Sequence, residues 1–184
     1  MKKVDLNDYI SNKGLSVYIF LDIDGVLNNE NYILKCYRKH HKPMSMNHVP
    51  FDPRCLNNLM QLVQIIENHF EVKLVLSSTW RLSEIDCEIV NARLAEYGMR
   101  LSGKTTYIEG NRGLEIKDYL DNNLRYKCYN FIILDDDICD ITPYFPNNIV
   151  HTNFKTGFTK RCLKQALKIL KIKKESLLWK IIKS

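Results

Sequence analysis

The sequence lacks an apolar run of the roughly 18 residues that a membrane-spanning helix needs. Its first ten residues, MKKVDLNDYI, lack the apolar core of a secretory signal, so we predict none. The six cysteines include no Cys-x-x-Cys pair, which argues against a zinc site or disulfides and favours reduced thiols in a cytoplasmic protein. No internal repeat or Gly/Ser linker divides the 184 residues, so one domain with its own core is expected.

Positive charge is concentrated at the C-terminal end of the chain. Residues 155–184 carry ten Lys or Arg and one Glu, whereas residues 1–154 carry seventeen basic and twenty acidic residues. We divide the chain into a domain of residues 1–172 and a basic, apolar-rich tail of residues 173–184. The tail is expected to dock on an anionic membrane surface or to open a further segment. The negative balance of the larger part argues against the nucleic-acid interpretation that a net charge of +6 would favour.

Short apolar segments alternate with helical ones along the chain. Buried strands are predicted at 17–23, 71–78 and 129–137, with a weaker one at 147–152. Helices are predicted to begin after Asp52, Ser83 and Thr159, which are suited to N-cap positions, and another spans 111–123. Residues 28–50 are predicted to be a long loop. This alternation predicts an α/β fold built as a three-layer, doubly wound, Rossmann-like parallel sheet.

Three of the predicted strands end in polar clusters. Asp22 and Asp24 follow the first strand, the run SSTWR at 77–81 follows the second, and three aspartates at 135–137 follow the third. Ligands of open α/β sheets bind beyond the carboxyl ends of the strands, so these clusters are expected to converge on one crevice. Carboxylates gathered there repel one another unless a cation neutralises them, and oxygen-only ligands favour Mg²⁺. With a hydroxyl and a guanidinium to bind phosphate oxygens, the set fits phosphoryl transfer through an aspartyl-phosphate.

The same segments resemble a known family. DIDGVL resembles the first motif of the haloacid dehalogenase (HAD) superfamily, LVLSSTWR its second motif and ILDDDICD its fourth. Together with RGLEI and TGFT, they are most similar to the small HAD domain associated with Swiss-army-knife RNA repair proteins, over about residues 17–170. The resemblance implies a HAD-like fold and a phosphatase. The segment from 25 to 50 is too short to form a large cap domain over the site.

The resemblance assigns catalytic roles to residues of the first two motifs. Asp22 matches the nucleophile, and Asp24 matches the general acid/base, whose main-chain carbonyl also binds the metal in the family. Gly25 is expected to allow the tight turn after the nucleophile strand and to lie beside the substrate. Ser78 is expected to hold the phosphate, although three adjacent hydroxyl residues at 77–79 leave the register open, and Thr79 is placed beside the substrate.

The resemblance also assigns the metal site. Asp22 and Asp24 are expected to share Mg²⁺ with Asp136, for which Asp135 is the alternative, while Asp140 supports the site.

The third motif departs from the family pattern, which has a lysine that stabilises the phosphorylated aspartate. Arg112 is the best match and is expected to take the catalytic role, and Lys117 is the alternative. Arg81 is a second residue expected to bind the substrate phosphate.

An open site without a large cap suits a phosphate carried by a macromolecule. The negative charge of residues 1–154 slightly favours a phosphoprotein, with phosphotyrosine as one candidate, and the resemblance keeps a 3′- or 5′-phosphorylated nucleic-acid end as the alternative. A third interpretation is a non-catalytic domain that senses phosphate or acts as a scaffold, but such a domain would not need Asp24.

Overall fold

The computed structural model describes residues 16–40, 50–124 and 129–172 of the chain. Its five strands are all parallel and form one sheet in the order β3-β2-β1-β4-β5. Their bounds are Ser16–Leu21 for β1, Glu71–Leu76 for β2, Leu101–Lys104 for β3, Tyr129–Asp135 for β4 and Ile149–His151 for β5. The predicted parallel α/β sheet is confirmed.

The described residues also form five α-helices, four of them between strands and the fifth after β5. They are α1 (Glu30–His40), α2 (Pro53–Glu67), α3 (Glu84–Ala95), α4 (Arg112–Leu124) and α5 (Lys160–Ile169), and a short 3₁₀ helix covers Thr79–Leu82. The three predicted N-caps each accept a backbone N–H: Asp52 caps α2, Ser83 caps α3 and Thr159 caps α5. These bonds satisfy donors that a helix start otherwise leaves free, which explains why the three helices begin at these positions.

The side chains of β1 alternate between the two faces of the sheet. Val17, Ile19 and Leu21 belong to a core that also contains buried residues of α2, α3 and α5. Tyr18 and Phe20 point the other way and belong to a core shared with α4. Because both faces of the central strand are covered, the strand is apolar almost throughout, as in other buried parallel strands. The three-layer, doubly wound arrangement is therefore confirmed.

The predicted loop at 28–50 was wrong in part, because α1 occupies residues 30–40. Asn29 starts this helix: its side-chain oxygen accepts from the Tyr32 N–H at 3.0 Å, and its carbonyl accepts from Ile33 at 3.0 Å. Asparagine is among the strongest N-caps, and Glu30 follows in the first turn, where negative charge is favourable. Asn29 and Glu30 were the local signal for α1, which the polar composition of the segment obscured.

The strand order reverses at β1: β2 and β3 are added on one side of it, and β4 and β5 on the other. The carboxyl ends of β1 and β4 therefore flank the crevice where ligands of doubly wound folds bind. The described residues form no large cap domain over it, and no helix among them is long and apolar enough to span a membrane. The tail at 173–184 lies outside the described residues, so the domain boundary at 172 stays a prediction.

Candidate active site

Asp22 and Asp135 lie side by side because of the register between β1 and β4. Leu21 pairs with Leu134 in this parallel ladder, so the two aspartates follow at the same level. The Asp22 N–H donates to the Leu134 carbonyl at 3.0 Å and holds Asp22 at the strand end. Both residues are buried, with 3% of Asp22 and 0% of Asp135 exposed. The fold thus gathers negative charge where a carboxylate is costly unless it is paired.

The guanidinium of Arg112 lies between these two carboxylates. Its Nη1 is 3.0 Å from Oδ1 of Asp22 and 2.6 Å from Oδ2 of Asp135. Arg112 is the first residue of α4, and its backbone N–H donates to Oδ2 of Asp140 at 2.6 Å. Gly113 permits this close approach, because a Cβ there would lie 2.3 Å from the Asp140 carbonyl oxygen. The arginine is therefore fixed at its backbone as well as at its side chain.

Lys117, the alternative for the same role, lies elsewhere on α4. It is exposed and forms an ion pair of 2.5 Å with Asp121, one turn further along the helix. The structure thus brings Arg112 to the carboxylate of Asp22 and leaves Lys117 on the helix surface.

The electrostatics of the site show a shortage of positive charge. Burial and the neighbouring Asp135 raise the pKa of Asp22 to about 7, although Arg112 acts in the opposite direction. Burial likewise raises the pKa of Asp135 to about 6 against the effect of Arg112. Burial alone would lower the pKa of Arg112, but the charges of Asp22 and Asp135 outweigh it, and the net shift is upward. One guanidinium therefore does not fully compensate the two buried carboxylates.

Asp136 adds a third carboxylate to this cluster. Oxygens of Asp22, Asp135 and Asp136 lie within 4.8 Å of one another, and this is the cluster in the described part of the chain that could hold a metal ion. Burial raises the pKa of Asp136 as well. Gly25 makes room for it: the residue has a φ of +68°, and a Cβ there would lie 2.3 Å from Cγ of Asp136. Glycine is thus required twice at this position, for the left-handed backbone and for the space.

Asp24 is not part of this three-carboxylate cluster, and its carboxylate accepts hydrogen bonds from two donors. The side-chain amide of Asn28 donates to Oδ1 at 2.7 Å, and the indole N–H of Trp80 donates to Oδ2 at 2.9 Å. Asn28 is buried and its own oxygen accepts from the Gly25 N–H at 3.2 Å, so the turn after β1 is closed by side-chain bonds. The carboxylate of Asp24 is therefore held beside the site in a defined orientation.

The hydroxyl residues after β2 differ in their surroundings. Ser77 continues the ladder, because its N–H donates to the Leu21 carbonyl at 3.0 Å. Ser78 is buried, and its hydroxyl lies near enough to Asp22 to lower the pKa of that carboxyl, although it makes no hydrogen bond of ordinary geometry. Thr79 is exposed at the start of the 3₁₀ helix. The hydroxyls of Ser77 and Ser78 are both buried without a hydrogen-bond partner, and that of Ser78 is the one next to Asp22.

Arg81 is tied into the protein rather than directed at the crevice. Its Nη2 pairs with Oε2 of Glu115 at 2.5 Å, and its Nη1 donates to the carbonyls of Ser77 and Ser78 at 2.8 Å each. Both members of the pair are nearly inaccessible, and Glu115 also accepts from the Ile108 N–H. The pair joins the 3₁₀ helix to α4 and supports the serines. Only Nε of Arg81 remains without a partner.

Sequence reasoning missed Asn28, Trp80 and Glu115 as parts of this site. Asn28 follows four residues after Asp24 within an otherwise apolar turn, and Glu115 is the acidic residue of RGLEI, so both had a weak signal. Trp80 had none, since an indole in SSTWR is as suited to packing as to hydrogen bonding.

A comparison with protein families agrees with this arrangement. A family model described as the HAD domain in Swiss Army Knife RNA repair proteins matches residues 18–163, which include every site residue described above. Searches of curated proteins and of solved structures found no significant match to the chain. A HAD domain indicates activity of the phosphatase type, and HAD domains generally use a divalent metal. With four-fifths of its residues matched, the chain belongs to the family of HAD domains found in Swiss Army Knife RNA repair proteins.

Proposed function

We propose that the chain is a Mg²⁺-dependent phosphomonoester phosphatase that works through an aspartyl-phosphate on Asp22. The observation that carries this proposal is the ion pair between Arg112 and Asp22, placed beside a buried cluster of carboxylates. A nucleophilic carboxylate needs a neighbouring cation that favours its charged form. Arg112 supplies one such cation and can also bind the transferred phosphoryl group.

The residues of the cluster fit Mg²⁺ in their chemistry. All candidate ligands are carboxylate oxygens, which hard divalent cations prefer. Asp135 already accepts from Arg112 through Oδ2 and from the Asp137 N–H through Oδ1, so Asp22 and Asp136 have more capacity left for a metal. When bound, Mg²⁺ would neutralise charge on the carboxylates and on the phosphoryl oxygens.

The remaining steps use groups of the chain itself. An oxygen of Asp22 attacks phosphorus and forms an acyl phosphate as the bond to the leaving oxygen breaks. Asp24 gives a proton to that leaving oxygen, then takes one from water, which attacks the phosphorus of the acyl phosphate and releases inorganic phosphate. Ser78 and Arg112 donate to the phosphoryl oxygens throughout. The carboxylate of Asp22 is restored at the end of the cycle.

For the substrate, we propose a phosphorylated RNA end. The family description supports RNA, and the surface beside the site suits a nucleic-acid strand. α1 follows directly after the turn that holds Asp24 and carries three exposed cations, at 35, 38 and 39, with a single acidic residue, Glu30. Cations of this kind neutralise backbone phosphates. The negative total for residues 1–154 conceals this local excess, which is why the preference for a phosphoprotein is not kept.

Exposed aromatic side chains accompany these cations. Tyr37 on α1 is 49% exposed, and Phe154 in the loop after β5 is 51% exposed. The start of α1 is bonded to that loop, because the Glu30 N–H donates to the Phe154 carbonyl at 3.0 Å and the Asn31 N–H to the Lys155 carbonyl at 3.3 Å. Unpaired bases stack on such rings. Helix α1 and the loop after β5 both follow the carboxyl end of a strand and are bonded to each other. Together they present exposed rings and cations.

The test is a competition experiment. Hydrolysis of an aryl phosphate with Mg²⁺ is measured while short RNAs with a 3′- or 5′-phosphate, or phosphotyrosine peptides, are added. We expect the RNAs to be hydrolysed and to inhibit competitively, with an inhibition that weakens as salt rises. Neutralising Lys35, Arg38 and Lys39 to Gln should weaken RNA inhibition. The matched control neutralises the exposed lysines of α5 at 160, 164 and 168 and should change nothing. Preferential hydrolysis of the peptide would contradict the RNA proposal, and no hydrolysis of any substrate would contradict the phosphatase.

A further inference from the structure

The carboxylate of Asp24 is held on both of its oxygens by uncharged donors from two different loops. Asn28 lies in the turn after β1 and donates to Oδ1, whereas Trp80 lies in the 3₁₀ helix after β2 and donates to Oδ2. Trp80 and Asp24 are 56 residues apart in the sequence. The indole bond therefore links the segments that follow β1 and β2, a task that ring packing alone does not require.

The indole is itself fixed in place. Its ring packs edge-on against Phe51, with centroids 5.6 Å apart and planes inclined by 63°, and Phe51 is buried. The Trp80 carbonyl accepts from the Ser83 N–H at 3.3 Å and from the thiol of Cys87 at 3.8 Å. An indole N–H can only donate, so its position determines where an acceptor oxygen sits. Packing behind the ring thus sets the location of Oδ2 of Asp24.

We propose that Trp80 is a positioning residue, whose indole N–H orients the Asp24 carboxylate for proton transfer to the leaving oxygen. The proposal rests on the proposed phosphatase, in which Asp24 is the general acid/base. Proton transfer needs a donor within hydrogen-bond reach in the correct direction, and a carboxylate that rotates freely satisfies this only part of the time. Asn28 fixes one oxygen, and Trp80 fixes the other.

The first experiment compares leaving groups in the variant Trp80→Phe. Phenylalanine keeps an aromatic ring beside Phe51 and removes the N–H donor together with part of the ring volume. We expect kcat to fall about tenfold for an alkyl phosphate with a poor leaving group, a part of the roughly 10²–10⁴-fold that a positioned acid contributes. For an activated aryl phosphate, kcat/KM, which reports only formation of the aspartyl-phosphate, should be nearly unaffected, and KM for the alkyl phosphate should stay within about twofold, since binding is not changed. Combining Trp80→Phe with Asp24→Asn should cause no loss beyond that of Asp24→Asn alone.

The second experiment is independent of activity. The chain has two tryptophans, and the indole N–H resonance that disappears in Trp80→Phe identifies Trp80 in an NMR spectrum. We expect this resonance to shift in Asp24→Ala, which removes the acceptor, and to stay in place in Asp137→Asn, which changes an exposed carboxylate.

Each outcome decides between the alternatives. An unmoved indole resonance in Asp24→Ala, or an unchanged rate for the alkyl phosphate in Trp80→Phe, would overturn the positioning role while leaving the phosphatase intact. A raised KM with equal loss for all leaving groups would make Trp80 a substrate platform and would also overturn it. If the wild-type protein hydrolyses no phosphate, the proposed function fails first, and the NMR result still reports whether the contact exists.

Discussion

Arg112 and Asp22 form an ion pair with 3.0 Å between Nη1 and Oδ1. The same Nη1 lies 2.6 Å from Oδ2 of Asp135, so one guanidinium serves two buried carboxylates. It occupies the location where a cation can both favour ionised Asp22 and bind a phosphoryl group.

Removing this guanidinium is expected to slow hydrolysis strongly. Arg112→Ala should lower kcat by roughly 10²–10³-fold, the scale for losing one preorganised donor to developing charge. Arg112→Lys should lose less, because it keeps the charge but not the planar fork of donors. Steady-state kinetics with an aryl phosphate measure both. Arg93→Ala, which removes an exposed arginine from α3, is the control, and a rate in Arg112→Ala equal to that control would refute the role.

Neutralising the second aspartate tests the acid/base assignment. Asp24→Asn should slow hydrolysis by roughly 10²–10⁴-fold, the usual contribution of general acid–base catalysis. The loss in kcat/KM, which reports formation of the aspartyl-phosphate and not its hydrolysis, should be smaller for activated leaving groups, because they need less protonation. A series of aryl and alkyl phosphates measures this dependence. An equal loss across the series would speak against the acid role of Asp24.

Gly25 and Gly98 offer a matched pair for testing the space beside Asp136. Both have left-handed backbones, with φ of +68° and +71°, but a Cβ meets Asp136 at position 25 and nothing within 4 Å at position 98. Gly98→Ala should cost about 1–2 kcal/mol of unfolding free energy from backbone strain alone. Gly25→Ala should cost more and should also abolish the response to Mg²⁺ by displacing Asp136. Urea unfolding with and without Mg²⁺ checks this, and identical behaviour of the two variants would contradict it.

Mutual repulsion within the carboxylate cluster predicts that removing one of its charges stabilises the metal-free protein. Asp136→Asn should raise the melting temperature of the metal-free protein, because it removes one of three neighbouring negative charges. The same change should reduce the stabilisation that added Mg²⁺ gives to the wild type. Thermal melts with EDTA and with Mg²⁺ measure both effects. Asp137→Asn is the control, and a full Mg²⁺ response in Asp136→Asn would exclude that residue as a ligand.

Much of the fold could be predicted from local pattern. Apolar segments gave the strands, and Asp52, Ser83 and Thr159 marked helix starts because a side-chain cap is a local event. The parallel topology then predicted the site: neighbouring strands end at one edge, so Asp22 and the aspartates at the end of β4 had to be close.

The contacts that complete the site could not be predicted in this way. The bond from Trp80 to Asp24 and the ion pair of Arg81 with Glu115 join distant segments, and their direction depends on side-chain rotamers that no sequence period encodes. Arg81 illustrates the difficulty. Its place after β2 suggested a phosphate ligand, but its guanidinium pairs with an acidic residue on α4 and donates to the backbone carbonyls of the two serines.

The most direct measurement of the central claim is chemical trapping of the intermediate. Asp24→Asn should accumulate the aspartyl-phosphate, because water is no longer activated to cleave it, and borohydride reduces an acyl phosphate to the alcohol. Peptide mass spectrometry after incubation with aryl phosphate, Mg²⁺ and borohydride should find homoserine at position 22, and none when substrate is omitted. Unmodified Asp22 in protein that has turned over substrate, or homoserine at another aspartate, would contradict the account.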